Sequence, residues 1–175
     1  MKIKLLFGIL FILILSACSL DVIAKPGVDE PVSEEPAQNM PGEAEARSAA
    51  LAFYSALNQG AFDQAVRYYG GSYEGLEGYN PLIDPGDQAG LLKAGCEASG
   101  IMCLDVLEIT LVQENEPGEY IYEVSFANPD GSLFILGPCC GATEEEMPPI
   151  SAFTVHVVCD PDGICRVLDL PPYVP

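Results

Sequence analysis

From residue 43 onward, Ala46, Ala50, Phe53, Tyr54 and Leu57 recur at three- and four-residue steps. A turn of 3.6 residues puts them on one face, so the spacing predicts an amphipathic helix that Gly60 stops. Ala61, Phe62, Ala65, Val66 and Tyr69 form a second buried stripe, ended by Gly70-Gly71. The stretch from Ser72 to Gly86, rich in Gly, Pro, Tyr and Asp, reads as an ordered loop. Asp87 is a natural cap for a third helix running to about Ser99, with Leu91, Leu92 and Cys96 turned inward.

After Gly100 the period falls to two. Leu107, Ile109 and Leu111 share one face of a first strand; Tyr120, Tyr122, Val124 and Phe126 share one face of a second, joined through Glu116-Pro117-Gly118. Asn128-Pro129-Asp130-Gly131 turns into a third strand, Ser132 to Leu136. A loop with Cys139-Cys140 and Glu144-Glu145-Glu146 leads to a strand from Ser151 to Cys159. Asp160-Pro161-Asp162-Gly163 then turns into Ile164 to Leu170, and Pro171-Pro172-Tyr173-Val174-Pro175 reads as an extended tail lying on the domain. Helices first and hairpin-connected strands second give an α+β domain, with N-terminal helices packed on a curved antiparallel sheet.

The first 42 residues follow neither period. Met1-Lys2-Ile3-Lys4, an apolar run from Leu5 to Leu15 and small residues Ser16-Ala17 have the anatomy of a secretory leader. The run, about 11 residues, is shorter than the roughly 20 a permanent transmembrane helix needs. Pro26, Pro31, Pro36 and Pro41, interspersed with Asp29, Glu30, Glu34 and Glu35, have the composition of an extended disordered tether. The expected organisation is a signal peptide over 1–17, a tether over 18–42 and one domain over 43–175. About 130 residues suffice for a single self-sufficient core.

Leu15-Ser16-Ala17-Cys18 resembles the lipobox of bacterial lipoproteins. The resemblance implies that Cys18 receives diacylglycerol, that the leader is cut just before it, and that the protein is anchored on the outer side of a cell membrane or outer membrane. Ser19 lacks the Asp that commonly retains such proteins at the inner membrane. The alternative is an ordinary leader with a coincidental Cys. The run Ala49-Ala50-Leu51-Ala52-Phe53-Tyr54-Ser55-Ala56-Leu57-Asn58-Gln59-Gly60-Ala61-Phe62-Asp63-Gln64-Ala65 resembles the opening of the NTF2-like (cystatin-like cone) superfamily, with a likeness in element order over about residues 44–170. That resemblance implies a conical cavity between sheet and helices, used by some members for small molecules, by others for isomerase or dehydratase chemistry, and by many for protein contacts. Fold alone does not choose among these.

Charge narrows the partners. With 26 acidic against 7 basic residues, the chain carries a formal −19. Removing Lys2 and Lys4 with the leader makes it more acidic. Nucleic-acid binding is excluded on this ground, because it needs Lys and Arg to displace counterions. The carboxylates otherwise serve solubility.

Besides Cys18 there are Cys96, Cys103, Cys139, Cys140, Cys159 and Cys165, an even set in an exported chain and so expected to form three disulfides. Cys159 and Cys165 flank a tight turn and are expected to pair across a hairpin. A bond between neighbours is strained, so Cys139 and Cys140 are expected to reach Cys96 and Cys103. The competing arrangement is Cys96–Cys103 with a vicinal Cys139–Cys140 pair, and a zinc site built from these four is a further alternative, without C-x-x-C spacing.

Candidate chemistry is sparse. His156, the only histidine, alternates with Val155 and Val157 on a strand, and would act as acid or base if its face met a pocket. An isomerase-like site needs a carboxylate and a Tyr facing it; Asp105, Tyr54, Tyr120 and Tyr122 have the right types, although buried tyrosines are ordinarily core. The Asp160 and Asn128 turns mimic the start of a calcium loop but lack its closing Glu. No cofactor motif, metal set or catalytic triad stands out. The expected role is therefore binding of a small apolar ligand or an envelope protein, without catalysis. The alternatives are a cavity enzyme of isomerase or hydratase type using Asp105, Tyr54 or His156, and a purely structural envelope component.

Overall fold

A computed structural model of the chain describes residues 42–174. The leader, Cys18 and almost all of the tether lie outside the described residues. Four helices, α1 (Glu43–Asn58), α2 (Phe62–Tyr68), α3 (Glu74–Tyr79) and α4 (Gln88–Ala98), precede four strands, β1 (Asp105–Glu114), β2 (Glu119–Ala127), β3 (Phe153–Cys159) and β4 (Cys165–Val167). The strands form one antiparallel sheet in the order β1-β2-β3-β4. This is an α+β architecture. Among the described residues no helix is long and apolar enough to cross a membrane.

Local chemistry explains the helix limits. The Glu45 carboxylate turns back to accept from the Gly42 N–H at 3.0 Å, satisfying a donor at the start of α1. Gly60, at φ +71°, takes the left-handed turn after α1. Asp87 caps α4 by accepting from the Gly90 N–H at 2.9 Å. Gly100 turns the chain out of α4 at φ +81°, where a Cβ would also strike the carbonyl of Val174.

The expected inner faces of α1 and β2 are both buried. Phe53 and Tyr54 of α1 meet Tyr122, Val124 and Phe126 of β2, with Val155 and Val157 of β3 and Val167 of β4 closing the layer. The tail pairs back onto the domain: Tyr173 bridges Ile101, the Met102 N–H donates to Pro172 O at 2.8 Å, and the Val174 N–H donates to Gly100 O at 2.8 Å.

Four expectations are corrected. Residues 72–86 are not all loop, because α3 forms there and anchors itself through buried Leu76. Leu107, Ile109 and Leu111 do not share a buried face; irregularities between Val106 and Glu108 and between Leu111 and Gln113 break the alternation, burying Ile109 and leaving Leu107 52% exposed. Residues 132–136 form no strand, only isolated bridges at Leu133 and Leu136. The reason is that β3 already occupies that edge of β2 from Glu119 to Val124, leaving the segment only the end of the strand, where the Phe134 N–H donates to Phe126 O at 2.9 Å and Leu133 bridges Ala127. The last strand is shorter than expected, its ladder continuing only as far as the Leu168 N–H to His156 O bond of 2.9 Å.

Candidate functional site

The space between α1 and the sheet is filled by aromatic rings. Tyr54 meets Phe126 edge-on with centroids 5.2 Å apart, Phe53 stacks on Tyr69 at 5.4 Å, and Phe126 tilts against Phe153 at 5.7 Å. Tyr54 and Tyr122 are both fully buried. Each phenol tip is tied to main chain: Tyr54 donates to Asp169 O at 3.3 Å, Tyr122 to Glu43 O at 3.0 Å and Tyr69 to Ser72 O at 3.0 Å. Tyrosine here supplies packed area with a satisfied polar end.

Burial is the first cause of upward pKa shifts in all three phenols, with Asp169 reinforcing it at Tyr54 and Glu43 at Tyr122. Tyr69 is pushed up to about 12. A folded pKa above the unfolded value near 10 means this contribution to stability is whole below about pH 10 and is lost as pH rises through about 12. In a phenolate absorbance titration these three should be among the late-ionising phenols of the eight tyrosines, with Tyr73, Tyr120 and Tyr173 also pushed up, chiefly by desolvation, and urea stability should start to fall above about pH 10. If all the tyrosines titrate together near 10, the rings are not packed as described.

The candidate acids and bases do not share a site. Asp105 is exposed at the start of β1, accepts from the Val106 N–H at 3.1 Å, and lines a surface hollow of about 400 Å³ with Asn58 and Asn128. Tyr120 is buried in the core. His156 points away from the core, as β3 alternation requires, while Val155 and Val157 point inward. Its partner, outside the sequence candidates, is Asp169: Asp169 Oδ2 lies 2.8 Å from His156 Nδ1 and accepts the His156 main-chain N–H at 2.6 Å. The hairpin register set by Cys159 opposite Cys165 runs on to put Leu168 beside His156, so Asp169 was within reach of the pattern. The dyad can hold an imidazole orientation, yet among the described residues no nucleophile or second acid is hydrogen-bonded to either side chain. Among the described residues no three His, Cys, Asp or Glu side chains gather to hold a metal ion.

Cys159 and Cys165 are bonded across β3 and β4, as the turn predicted. The expected links from Cys139 and Cys140 to Cys96 and Cys103 are overturned: Cys96 and Cys103 are bonded to each other, with Cα atoms 5.5 Å apart. Gly100 folds the chain back after α4 and so brings the two within disulfide reach. A four-cysteine zinc set is thereby ruled out. Cys139 and Cys140 remain as thiols.

Two surface concavities lie at the edge of the core. A groove of about 520 Å³ runs between Glu45 and Ser48 of α1, Arg67 and Tyr68, and Ile164. A smaller apolar crevice of about 140 Å³ is lined by Leu76, Tyr79, Ile101, Leu170, Pro171 and Tyr173. Tyr79 and Tyr173 stack at its wall, centroids 5.9 Å apart. Comparison with protein-family models, curated proteins and solved structures found no match to the chain.

Proposed function

We propose that the chain is a lipid-anchored extracytoplasmic envelope protein whose NTF2-like domain works by holding a protein partner on its surface, without catalysis. The observation that carries this reading is the filled interior. Phe53, Tyr54, Tyr122 and Phe126 occupy the space where a cone-type cavity would lie, all at 0% exposure. Asp105 and His156, the candidate reactive groups, open to solvent at separate places.

The apolar crevice, about 140 Å³, is smaller than the roughly 300–1,000 Å³ usual for small-molecule sites. Its size suits one apolar side chain of a partner, and the chain's formal charge of −19 favours a basic partner. A small apolar ligand is the second reading, favoured by the almost wholly apolar lining of the same crevice. The anchor rests on Leu15-Ser16-Ala17-Cys18, and two or three acyl chains at about 0.8 kcal/mol per buried methylene make attachment persistent.

The test uses the full chain carrying a photoreactive phenylalanine analogue at Tyr173, expressed with and without Cys18→Ser. The unsubstituted anchor should give membrane-bound protein and one dominant cross-linked protein, and Cys18→Ser should move the chain to the soluble fraction. Unchanged fractionation would remove the lipid anchor. A chain that cross-links to no protein but purifies with a bound apolar molecule would replace the first reading by the second.

A further inference from the structure

Cys139 and Cys140 are the two described cysteines outside a disulfide, and their Sγ atoms lie 2.8 Å apart. Cys140 is also the one non-glycine residue with positive φ among those described, at +61°, in a turn closed by the Ala142 N–H donating to Cys139 O at 3.0 Å. The turn brings both sulfurs to the same side of the loop, Cys140 exposed and Cys139 partly covered. We infer that this adjacent pair is a two-electron thiol–disulfide exchange site whose co-reactant is a disulfide or dithiol outside the cytoplasm. The compartment in that statement rests on the proposed export; the sulfur chemistry does not.

The exchange balances as follows. Cys140, the more accessible sulfur, attacks a disulfide of the co-reactant as its thiolate, forming a mixed disulfide and expelling one thiolate. Cys139, already in contact with Cys140, then loses its proton and attacks the Cys140 sulfur. This closes the vicinal disulfide and releases the second thiolate. The co-reactant disulfide gains two electrons, the Cys139–Cys140 pair loses two, and the two cysteine protons pass to the released thiolates. The reverse sequence oxidises a dithiol.

One observation fits this order of events. The Cys139 thiol is pushed up, first by its hydrogen bond with Cys140, which suits a resolving thiol more than an attacking one. A disulfide between neighbours closes a strained eight-membered ring through one peptide unit, and strained, exposed disulfides are the readily reduced ones. The pair should thus change state while Cys96–Cys103 and Cys159–Cys165 stay oxidised.

The experiment equilibrates the full chain in detergent with glutathione buffers from fully reduced to fully oxidised, followed by acid quench and alkylation. Cleavage after Glu123 and Glu144 isolates a fragment whose only cysteines are Cys139 and Cys140. Its expected mass changes from doubly alkylated to unlabelled and two hydrogens lighter as the buffer becomes oxidising, with the other two disulfides intact throughout. Cys139→Ser, lacking the resolving thiol, should instead stop with one glutathione held on Cys140. The inference is overturned if the fragment stays doubly alkylated in every buffer. It is equally overturned if the unsubstituted chain stops at the glutathione adduct, or if the pair opens only in a reductant that also opens the other two disulfides. Each of these results leaves the fractionation and cross-linking outcomes untouched.

Discussion

Phe53→Ala should destabilise the folded domain by about 3–5 kcal/mol and lower its melting temperature by roughly 10–20 °C. Phe53 has no exposed surface, and its ring is wedged between Tyr54 at 5.1 Å and Tyr69 at 5.4 Å. Neither neighbour can swing freely into the space left behind, since the two hydroxyls are tied to Asp169 O and Ser72 O. The cost therefore combines lost burial with a cavity that relaxes poorly. Urea unfolding followed by circular dichroism should show the midpoint falling with an unchanged slope. Leu82→Ala, at a residue 99% exposed, is the control and should stay within about 0.5 kcal/mol. A loss below about 1 kcal/mol at Phe53 would mean a loose interior, and the case against a ligand-filled cone would go with it.

Reduction of both disulfides should cost about 4 kcal/mol in all. Cys96–Cys103 and Cys159–Cys165 close short loops, with sequence separations of 7 and 6, and such loops contribute about 2 kcal/mol each. The pairing expected from strain alone would have closed loops of roughly 40 residues, worth about 4 kcal/mol apiece. The double variant Cys139→Ser/Cys140→Ser separates the two arrangements: it should leave unfolding in urea unchanged under oxidising conditions. A loss of several kcal/mol in that variant would restore the long-range pairing and remove the exchange site.

Legibility in the sequence followed the strength of local periodicity. The inner face of β2, the stripe of α1, the Asp87 cap and the Cys159–Cys165 hairpin were readable because each is set by residues close in the chain. The helix α3 was not, since six residues containing Gly75 and Gly78 carry no helical stripe, and tertiary contacts hold them: the burial of Leu76, the Tyr79–Tyr173 stack and the Asn80 side chain bonded to Leu76 O and Ser99. The bulges in β1 leave no mark in residue type. In the cysteine pairing, the strain of a vicinal bond outweighed a second signal, the glycine just past α4 that folds the chain back on itself. The acid and base candidates were chosen by type, and type does not say which side chains meet: His156 found Asp169, whereas Asp105 found its own neighbouring amide.

The bond from the Tyr122 hydroxyl to Glu43 O has a mechanical consequence. Glu43 is the first residue of α1, and Tyr122 sits in the centre of a strand flanked on both sides. Any tension arriving along the chain from upstream is thus handed straight to the middle of the sheet, instead of peeling α1 away turn by turn from its end. Under load, the domain should resist as a unit up to a single rupture.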